Sequence, residues 1–251
     1  MRILIVTNFR AGSTAFTLYK AQEHDVPYKG EMFSRPRPYG IGQAMSNVEI
    51  VNLKTPMDDA EKDKRTSEEF FIHQLENNFP CCFKYMPHQL ENIEENFDKL
   101  MQNVDKIYYL YRRDFMAQCK SWIAVRRIGD FGGTGFTESY VKRQPSDEIR
   151  QREIHLGTLG KGKKVVHEVS IKDESHLNWH LRAGLLVNQL IDKYKLMAEI
   201  YQKYPGEIVC LEDFFEDKPF DRYNREVIFD QDPIIPDGFC PEKLFKSIDK
   251  T

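Results

Sequence analysis

A turn with an arginine, a glycine and two hydroxyl side chains follows the first apolar segment of the chain. The stretch ILIVTNFRAGSTAF, residues 3–16, runs from four apolar residues into Arg10, Gly12, Ser13 and Thr14 and then into a helical pattern. Backbone N–H groups at the start of a helix converge on one spot, where the helix dipole also favours negative charge. The stretch therefore predicts an anion site. The alternative is a plain turn at Gly12, with Ser13 or Thr14 capping the helix.

This turn lacks the usual phosphate-binding motif of ATPases and GTPases. That motif, G-x-x-x-x-G-K-[ST], places a lysine directly after its second glycine. Here Gly12 is followed by Ser13 and Thr14, and the nearby cation is Arg10, which precedes the glycine. The pattern disfavours an ordinary ATPase or GTPase.

A second candidate anion site follows the apolar segment KIYYLY. The stretch IYYLYRRDFMAQCKSW places Arg112 and Arg113 directly after that segment and Ser121 eight residues beyond Arg113. Eight residues are about two turns of a helix. The arginine, through charge-assisted hydrogen bonds, and the serine, through its hydroxyl, could hold one phosphate between them. The alternative is a solvated arginine pair and a serine on the helix surface.

Short β-branched and aromatic segments alternate with longer helical patterns. Four segments read as strands: residues 2–8, 81–86, 106–111 and 207–212. Helical patterns follow each of the first three, and a long one over 177–204 precedes the fourth. Strands without polar alternation, separated by helices, predict an α/β fold in which helices cover both faces of a central parallel sheet. In such sheets ligands bind at the carboxyl ends of the strands.

Two regions depart from this alternation and are predicted to be irregular insertions. They cover residues 26–68, around SRPRPYGIGQ, and residues 129–171, with GDFGGTGF and GTLGKGKK. Long irregular segments in compact domains are often functional lids or mobile loops. We expect them to contact the substrate of a single domain that covers residues 1–251.

Composition and charge narrow the range of partners. Lys plus Arg number 36 and Asp plus Glu 39, a formal net charge of -3. This balance provides no general electrostatic footprint for nucleic acid or an anionic membrane. No apolar run approaches the ~20 residues of a membrane helix. We therefore expect neither nucleic acid nor a membrane as a partner.

The cysteines and the first residues favour a cytoplasmic protein. The chain has five cysteines, an odd number, and no C-x-x-C pair. This usage disfavours a disulfide framework and a zinc ribbon. The start MRILIVTNF turns polar too early for a secretory signal.

Together, the two candidate anion sites resemble those of sulfotransferases that use 3′-phosphoadenosine 5′-phosphosulfate. In that family a strand, loop and helix of the type xRxGST hold the 5′-phosphosulfate. An arginine at the end of a later strand and a serine eight residues on hold the 3′-phosphate. The residues that match the first motif are Arg10, Gly12, Ser13, Thr14 and Ala15, and those that match the second are Arg113 and Ser121. The segment GEIVCLEDFFED also resembles a late strand of the family, with Glu212 and Asp213 in matching places and a structural role expected for them.

The resemblance implies a P-loop nucleotide-hydrolase-like sulfotransferase fold and an in-line transfer of a sulfuryl group. The co-substrate would be 3′-phosphoadenosine 5′-phosphosulfate, the acceptor a hydroxyl or amine of a carbohydrate or small molecule, and no metal would be needed. The backbone amides from Ala11 to Ala15, with the Arg10 and Thr14 side chains, would stabilise the charge that develops in the transition state.

Three further residues are candidates for the chemical step. Glu31, in YKGEMFSRP, is the preferred general base because carbohydrate-type members carry a catalytic glutamate in a similar setting. His88, in FKYMPHQL, is the second candidate, although a histidine without a catalytic role at a helix start is an alternative. Lys84, at the end of the second predicted strand, would neutralise the bridging oxygen of the leaving group, unless it is a surface lysine whose stem lies along the protein.

Two other functions remain open at the level of sequence. The first is a divergent P-loop kinase for a nucleoside or small molecule, because a fold does not determine chemistry. The second is a nucleotide-binding module without catalytic activity. The identity of the acceptor and the oligomeric state are not determined by these motifs.

Overall fold

The computed structural model describes residues 1–31, 67–87, 93–128, 147–155, 163–171, 176–216 and 225–248. The helices and strands follow one another along the chain as β1 (Arg2–Thr7), α1 (Ser13–Glu23), β2 (Tyr28–Glu31), α2 (Ser67–Glu76), β3 (Cys81–Tyr85), α3 (Ile93–Gln102), β4 (Lys106–Tyr111), α4 (Phe115–Ile128), β5 (Asp147–His155), β6 (Lys163–Ile171), α5 (His176–Lys203), β7 (Glu207–Cys210), α6 (Leu211–Phe215), β8 (Arg225–Phe229) and α7 (Pro241–Ile248).

Five parallel strands form a central sheet in the order β2-β3-β1-β4-β7. Successive residues of β1 point to opposite faces, and both faces are buried. Leu4 and Val6 pack in a cluster with side chains of α2, α3, α4, α5 and α7. Ile3 and Ile5 pack in a second cluster with side chains of α1 and α6. The predicted α/β fold, a parallel sheet with helices on both faces, is confirmed at this level.

The four predicted strands agree closely with the structure, and three of them differ at their carboxyl ends. Residues 106–111 form β4 as predicted, while β1 and β3 each end one residue earlier than expected. The fourth segment ends as a strand at Cys210, and Leu211 begins α6. The short strand β2 was not predicted, because its four residues include Gly30 and the register with β3 shifts between Tyr28 and Gly30.

A second sheet corrects the prediction of an irregular insertion at residues 129–171 for the parts described there, 147–155 and 163–171. Its order is β5-β6-β8, with β5 antiparallel and β8 parallel to β6. The sequence of β5, DEIRQREIH, has only two apolar residues, five positions apart, so it shows no apolar period of two. Phe229 of β8 is buried, and its ring centroid lies 5.1 Å from that of Trp179 in α5.

Helix α5 is the longest described helix, at 28 residues, and its position agrees with the predicted pattern over 177–204. Its buried side includes Trp179, Ala183, Val187 and Leu190, which repeat at helical spacing. Among the described residues, no helix is long and apolar enough to cross a membrane.

Two glycines, Gly184 within α5 and Gly206 just after it, should respond in opposite ways to replacement by alanine. A Cβ at Gly206, in the turn before β7, would lie 2.6 Å from the carbonyl oxygen of Ile107, whereas a Cβ at Gly184 in the helix would have nothing within 4 Å. Overpacking of this kind should destabilise Gly206→Ala by about 1–3 kcal/mol. Gly184→Ala should stabilise the protein by about 0.5–1 kcal/mol, because alanine restricts the unfolded chain and suits a helix.

Urea unfolding of the two variants checks this packing. The variants carry the same added methyl group, so each is the control of the other. An unfolding free energy of Gly206→Ala equal to that of the wild type would contradict the close approach of the turn to β4.

Candidate anion-binding site

The candidate site lies where the order of the strands in the central sheet changes from one side of β1 to the other. From β1 the chain leads through α1 to β2, on one side of the sheet, and β4 begins the other side. Helix α1 covers one face and α4 the opposite face. The β1–α1 turn (residues 8–12) and the β4–α4 turn (residues 112–114) therefore diverge at the carboxyl edge, the side of the sheet where the parallel strands end. A crevice of this kind is the usual ligand site of open α/β sheets.

The β1–α1 turn contains two residues with left-handed backbone conformation, Arg10 with φ 55° and Gly12 with φ 73°. Gly12 is the N-cap of α1, and its carbonyl oxygen accepts from the N–H groups of Ala15 at 3.2 Å and Phe16 at 3.3 Å. No side chain caps this helix start, so the alternative in which Ser13 or Thr14 is the cap is wrong. The first amides of a helix have no acceptor within the helix and are suited to bind an anion.

The left-handed conformation of Arg10 costs roughly 1–2 kcal/mol relative to a right-handed residue. Non-glycine residues in this region of φ and ψ concentrate at functional sites, where surrounding contacts hold them. Here the next residue, Ala11, is fully buried, and the preceding Phe9 ring stacks on Trp122 with centroids 4.1 Å apart. The turn is thus held by packing on both sides of Arg10.

Lys84 reaches the start of α1 from the neighbouring strand. Its Nζ donates to the Thr14 Oγ1 at 2.9 Å, and only 5% of the residue is exposed. Lys84 is therefore not the surface lysine of the alternative interpretation. In the register of the sheet it lies beside Ile5, on the face that α1 covers. The contact places an ammonium group and a hydroxyl together at the helix start.

The structure brings Arg10 and Ser121 together. The Arg10 Nε donates to the Ser121 Oγ at 3.0 Å, although 111 residues separate them in the chain. Ser121 lies two turns into α4, on the side that faces the β1–α1 turn. One residue of each predicted anion motif therefore meets in a direct contact at the crevice.

Arg113 makes a different contact from the one the sequence predicted. Its guanidinium pairs with the Asp213 carboxylate, and both side chains are about half exposed. The hydrogen bond to Asp213 raises the pKa of Arg113, and the same bond lowers the pKa of Asp213. Exposed ion pairs of this type are weak, since solvent screens them. Arg113 stands at the rim of the crevice, where an anion can compete with Asp213.

The Glu212 side chain stabilises the β4–α4 turn by accepting hydrogen bonds from backbone N–H groups of that turn. The carboxylate accepts from the N–H of Arg113 at 2.9 Å and from the N–H of Asp114 at 3.1 Å. Asp114 in turn accepts from the N–H of Ala117 at 2.8 Å, so it caps α4. These contacts support the structural role expected for Glu212.

Of the two candidate general bases, Glu31 and His88, the structure describes only the backbone of Glu31. β2 ends at Glu31, and the register of the sheet pairs its backbone with that of Lys84 at the carboxyl edge. His88 lies outside the described residues. The order of these candidates therefore stays a prediction.

Sequence reasoning missed three buried polar residues that hold the site, Asn8, Gln118 and Tyr194. Asn8 donates from Nδ2 to the carbonyl oxygen of Leu190 at 2.8 Å. Gln118 donates to the carbonyl oxygen of Phe9 at 2.6 Å and accepts from the Tyr194 hydroxyl at 2.7 Å. No motif marks these positions, because a tyrosine in the buried stripe of a long helix resembles any core aromatic residue.

No group of three or more His, Cys, Asp or Glu residues is placed to hold a metal ion in the part of the chain that the structure describes. Comparisons with known proteins add no assignment. No family model matches the chain, and searches of curated proteins and of solved structures gave no match either.

Arg10→Ala should weaken the binding of inorganic pyrophosphate. A hydrogen bond to a charged group contributes about 1.5–3 kcal/mol, so we expect the Kd to rise by roughly ten- to a hundredfold. Lys106→Ala is the matched control, because Lys106 begins β4 at the opposite edge of the sheet and its removal changes the net charge by the same amount. Isothermal titration calorimetry of both variants measures the effect. An equal loss of affinity in the two variants would mean that pyrophosphate responds to net charge and not to this turn.

Proposed function

We propose that the protein is a sulfotransferase that moves a sulfuryl group from 3′-phosphoadenosine 5′-phosphosulfate to a hydroxyl, or an amine, of a carbohydrate or small-molecule acceptor. The observation that carries the proposal is the contact between Arg10 and Ser121 at the crevice. It joins the two motifs whose order and spacing resemble those of the sulfotransferases. The α/β sheet and the helix start at Gly12 supply the setting such motifs need.

The β1–α1 turn would hold the 5′-phosphosulfate of the donor. The amides of the turn and helix start, expected from Ala11 to Ala15, would bind the anion, and of these the Ala15 N–H already donates to the Gly12 carbonyl oxygen at 3.2 Å. Arg10, Thr14 and Lys84 would add side-chain donors beside them. Charge-assisted hydrogen bonds of this kind are about twice as strong as neutral ones. The turn would therefore bind the most highly charged part of the nucleotide.

Ser121 and Arg113 would hold the 3′-phosphate. Ser121 already lies at the crevice, in contact with Arg10. Arg113 would exchange its exposed partner Asp213 for a phosphate, which offers more charge and a geometry that suits the planar guanidinium. Discrimination between a donor with and without the 3′-phosphate is thus assigned to these two residues.

The transfer needs the acceptor oxygen in line with the bond between sulfur and the leaving phosphate oxygen. As the new S–O bond forms and the old one breaks, negative charge passes to the 5′-phosphate, where Lys84 would stabilise it. The acceptor proton would go to a carboxylate, for which Glu31 is the preferred candidate. Removing one donor of the transition-state charge typically costs about 2.7–4 kcal/mol of barrier. This scheme uses no metal ion in the chemical step.

Thermal shifts with nucleotides test the proposal directly. Adenosine 3′,5′-bisphosphate should raise the Tm by the same amount with and without EDTA, since ligand binding to the native state stabilises it. Adenosine 5′-monophosphate should stabilise less, and Arg113→Ala should remove most of that difference. Stabilisation by ATP that depends on magnesium would instead support the kinase. Binding of the bisphosphate without transfer to any acceptor of a broad panel would support the module without catalytic activity.

Glu31→Gln should retain affinity for adenosine 3′,5′-bisphosphate and lose most of the turnover. The amide keeps the shape of the carboxylate but cannot accept the proton of the acceptor, and general base catalysis contributes typically 10²–10⁴-fold. Steady-state rates with the sulfated donor measure this. His88→Ala is the matched comparison, and near-normal turnover in Glu31→Gln together with loss in His88→Ala would exchange the two assignments.

A further inference from the structure

A chain of buried hydrogen bonds joins the two turns of the site. The Gln118 Nε2 donates to the carbonyl oxygen of Phe9 in the β1–α1 turn, and the Gln118 Oε1 accepts from the Tyr194 hydroxyl. The Tyr194 Oη accepts, at 3.2 Å, from the N–H of Arg112 in the β4–α4 turn. The chain therefore runs from one backbone group to another through two side chains.

The two backbone groups at the ends of this chain determine which atom donates and which accepts in every hydrogen bond between them. A backbone carbonyl only accepts, so Gln118 must present its amide nitrogen to Phe9 and its oxygen to Tyr194. The tyrosine must then donate to that oxygen, and its remaining lone pair accepts from Arg112. Gln118 and Tyr194 are both fully buried, where an unmet polar group is costly. One geometry satisfies all of these groups, so a shift of either turn disturbs the other.

Leu190 and Tyr194, about one helical turn apart in α5, anchor both the β1–α1 turn and the β4–α4 turn. The carbonyl oxygen of Leu190 accepts from Asn8, and Tyr194 lies four residues later on the same face. The Asn8 Oδ1 also accepts from the N–H of Phe9 at 2.8 Å. The β1–α1 turn is thus held to α5 directly through Asn8 and, through Gln118, to the tyrosine that holds the β4–α4 turn.

We propose that Gln118 and Tyr194 are positioning residues that couple the two turns, so that an anion held by one turn strengthens the binding of an anion at the other. The inference rests on the proposed function, in which the turns hold the two ends of one nucleotide. It assigns cooperativity between the 5′- and 3′-phosphate subsites to a hydrogen-bond chain that contacts neither phosphate.

The experiment compares Tyr194→Phe with Tyr109→Phe. Tyr109 is also fully buried, and its hydroxyl donates to the carbonyl oxygen of Tyr204, away from both turns. Each variant removes one buried hydroxyl and keeps the ring. A general loss of stability should therefore affect the two variants alike, whereas a positioning role should appear in Tyr194→Phe alone.

The first measurement is a thermodynamic cycle of four ligands: adenosine, its 5′-monophosphate, its 3′-monophosphate and its 3′,5′-bisphosphate. The product of the two monophosphate Kd values, divided by the product of the other two, gives the coupling between the subsites. Tyr194→Phe should lower this ratio at least about fivefold, and Tyr109→Phe should change it by no more than about twofold. An unchanged ratio in Tyr194→Phe would overturn the proposal.

The second measurement needs no nucleotide and separates this proposal from the proposed function. Hydrogen exchange should speed up in Tyr194→Phe at the amides of the β1–α1 turn, which the Tyr194 hydroxyl reaches only through Gln118. Faster exchange confined to the β4–α4 turn, or equal to that in Tyr109→Phe, would refute the coupling. If the wild type binds none of the four ligands, the proposed function fails and the exchange data alone decide. If Tyr194→Phe does not fold, Gln118→Met is measured in its place, because it breaks the same hydrogen-bond chain at Gln118.

Discussion

The geometry of the candidate site depends on one turn of helix α5. Leu190 accepts from Asn8, and Tyr194 closes the chain through Gln118 to Phe9. The side chains of Asn8, Gln118 and Tyr194 are buried, and each has a hydrogen-bond partner. Loops are ordinarily the most variable part of an α/β fold. Here a core helix connects two of them through hydrogen bonds, at the place where the sheet topology predicts a ligand crevice.

The topology of the sheet determines which residues can meet in that crevice. β1 lies between β3 and β4, so the turns that follow β1 and β4 emerge side by side at the carboxyl edge. Helices α1 and α4 then leave on opposite faces, and their first turns border the same space. Arg10 and Ser121 come into contact across this space. Lys84 approaches it from β3, where its stem is buried beside α1.

The rim of the crevice is organised differently from its floor. At the rim, the cation Arg113 pairs with the carboxylate of Asp213, and Glu212 accepts from backbone amides. At the floor, Arg10 donates to the Ser121 hydroxyl and Lys84 to the Thr14 hydroxyl. The rim contacts are exposed to solvent and can exchange with a ligand. The floor contacts are part-buried and join the β1–α1 turn to α4 and the start of α1 to β3.

The regular part of the fold could be predicted because its signals are local. Strands β1, β3 and β4 are buried on both faces, so their sequences are nearly continuous apolar runs, and the long helix α5 shows its buried stripe directly. β2, β5 and β6 could not be recognised in this way. β2 is short and interrupted by Gly30, and the polar residues of β5 become a strand only through pairing with β6.

The sequence by itself determined the two motifs, their order along the chain and their place at the ends of parallel strands, since composition and spacing over some ten residues encode these features. Only the tertiary structure decided that Arg10 meets Ser121, that Arg113 pairs with Asp213 and that Gln118 and Tyr194 join the two turns. These contacts connect residues 76 to 111 positions apart. Their partners are chosen by the register of the sheet and the packing of α4 and α5, which no local pattern contains.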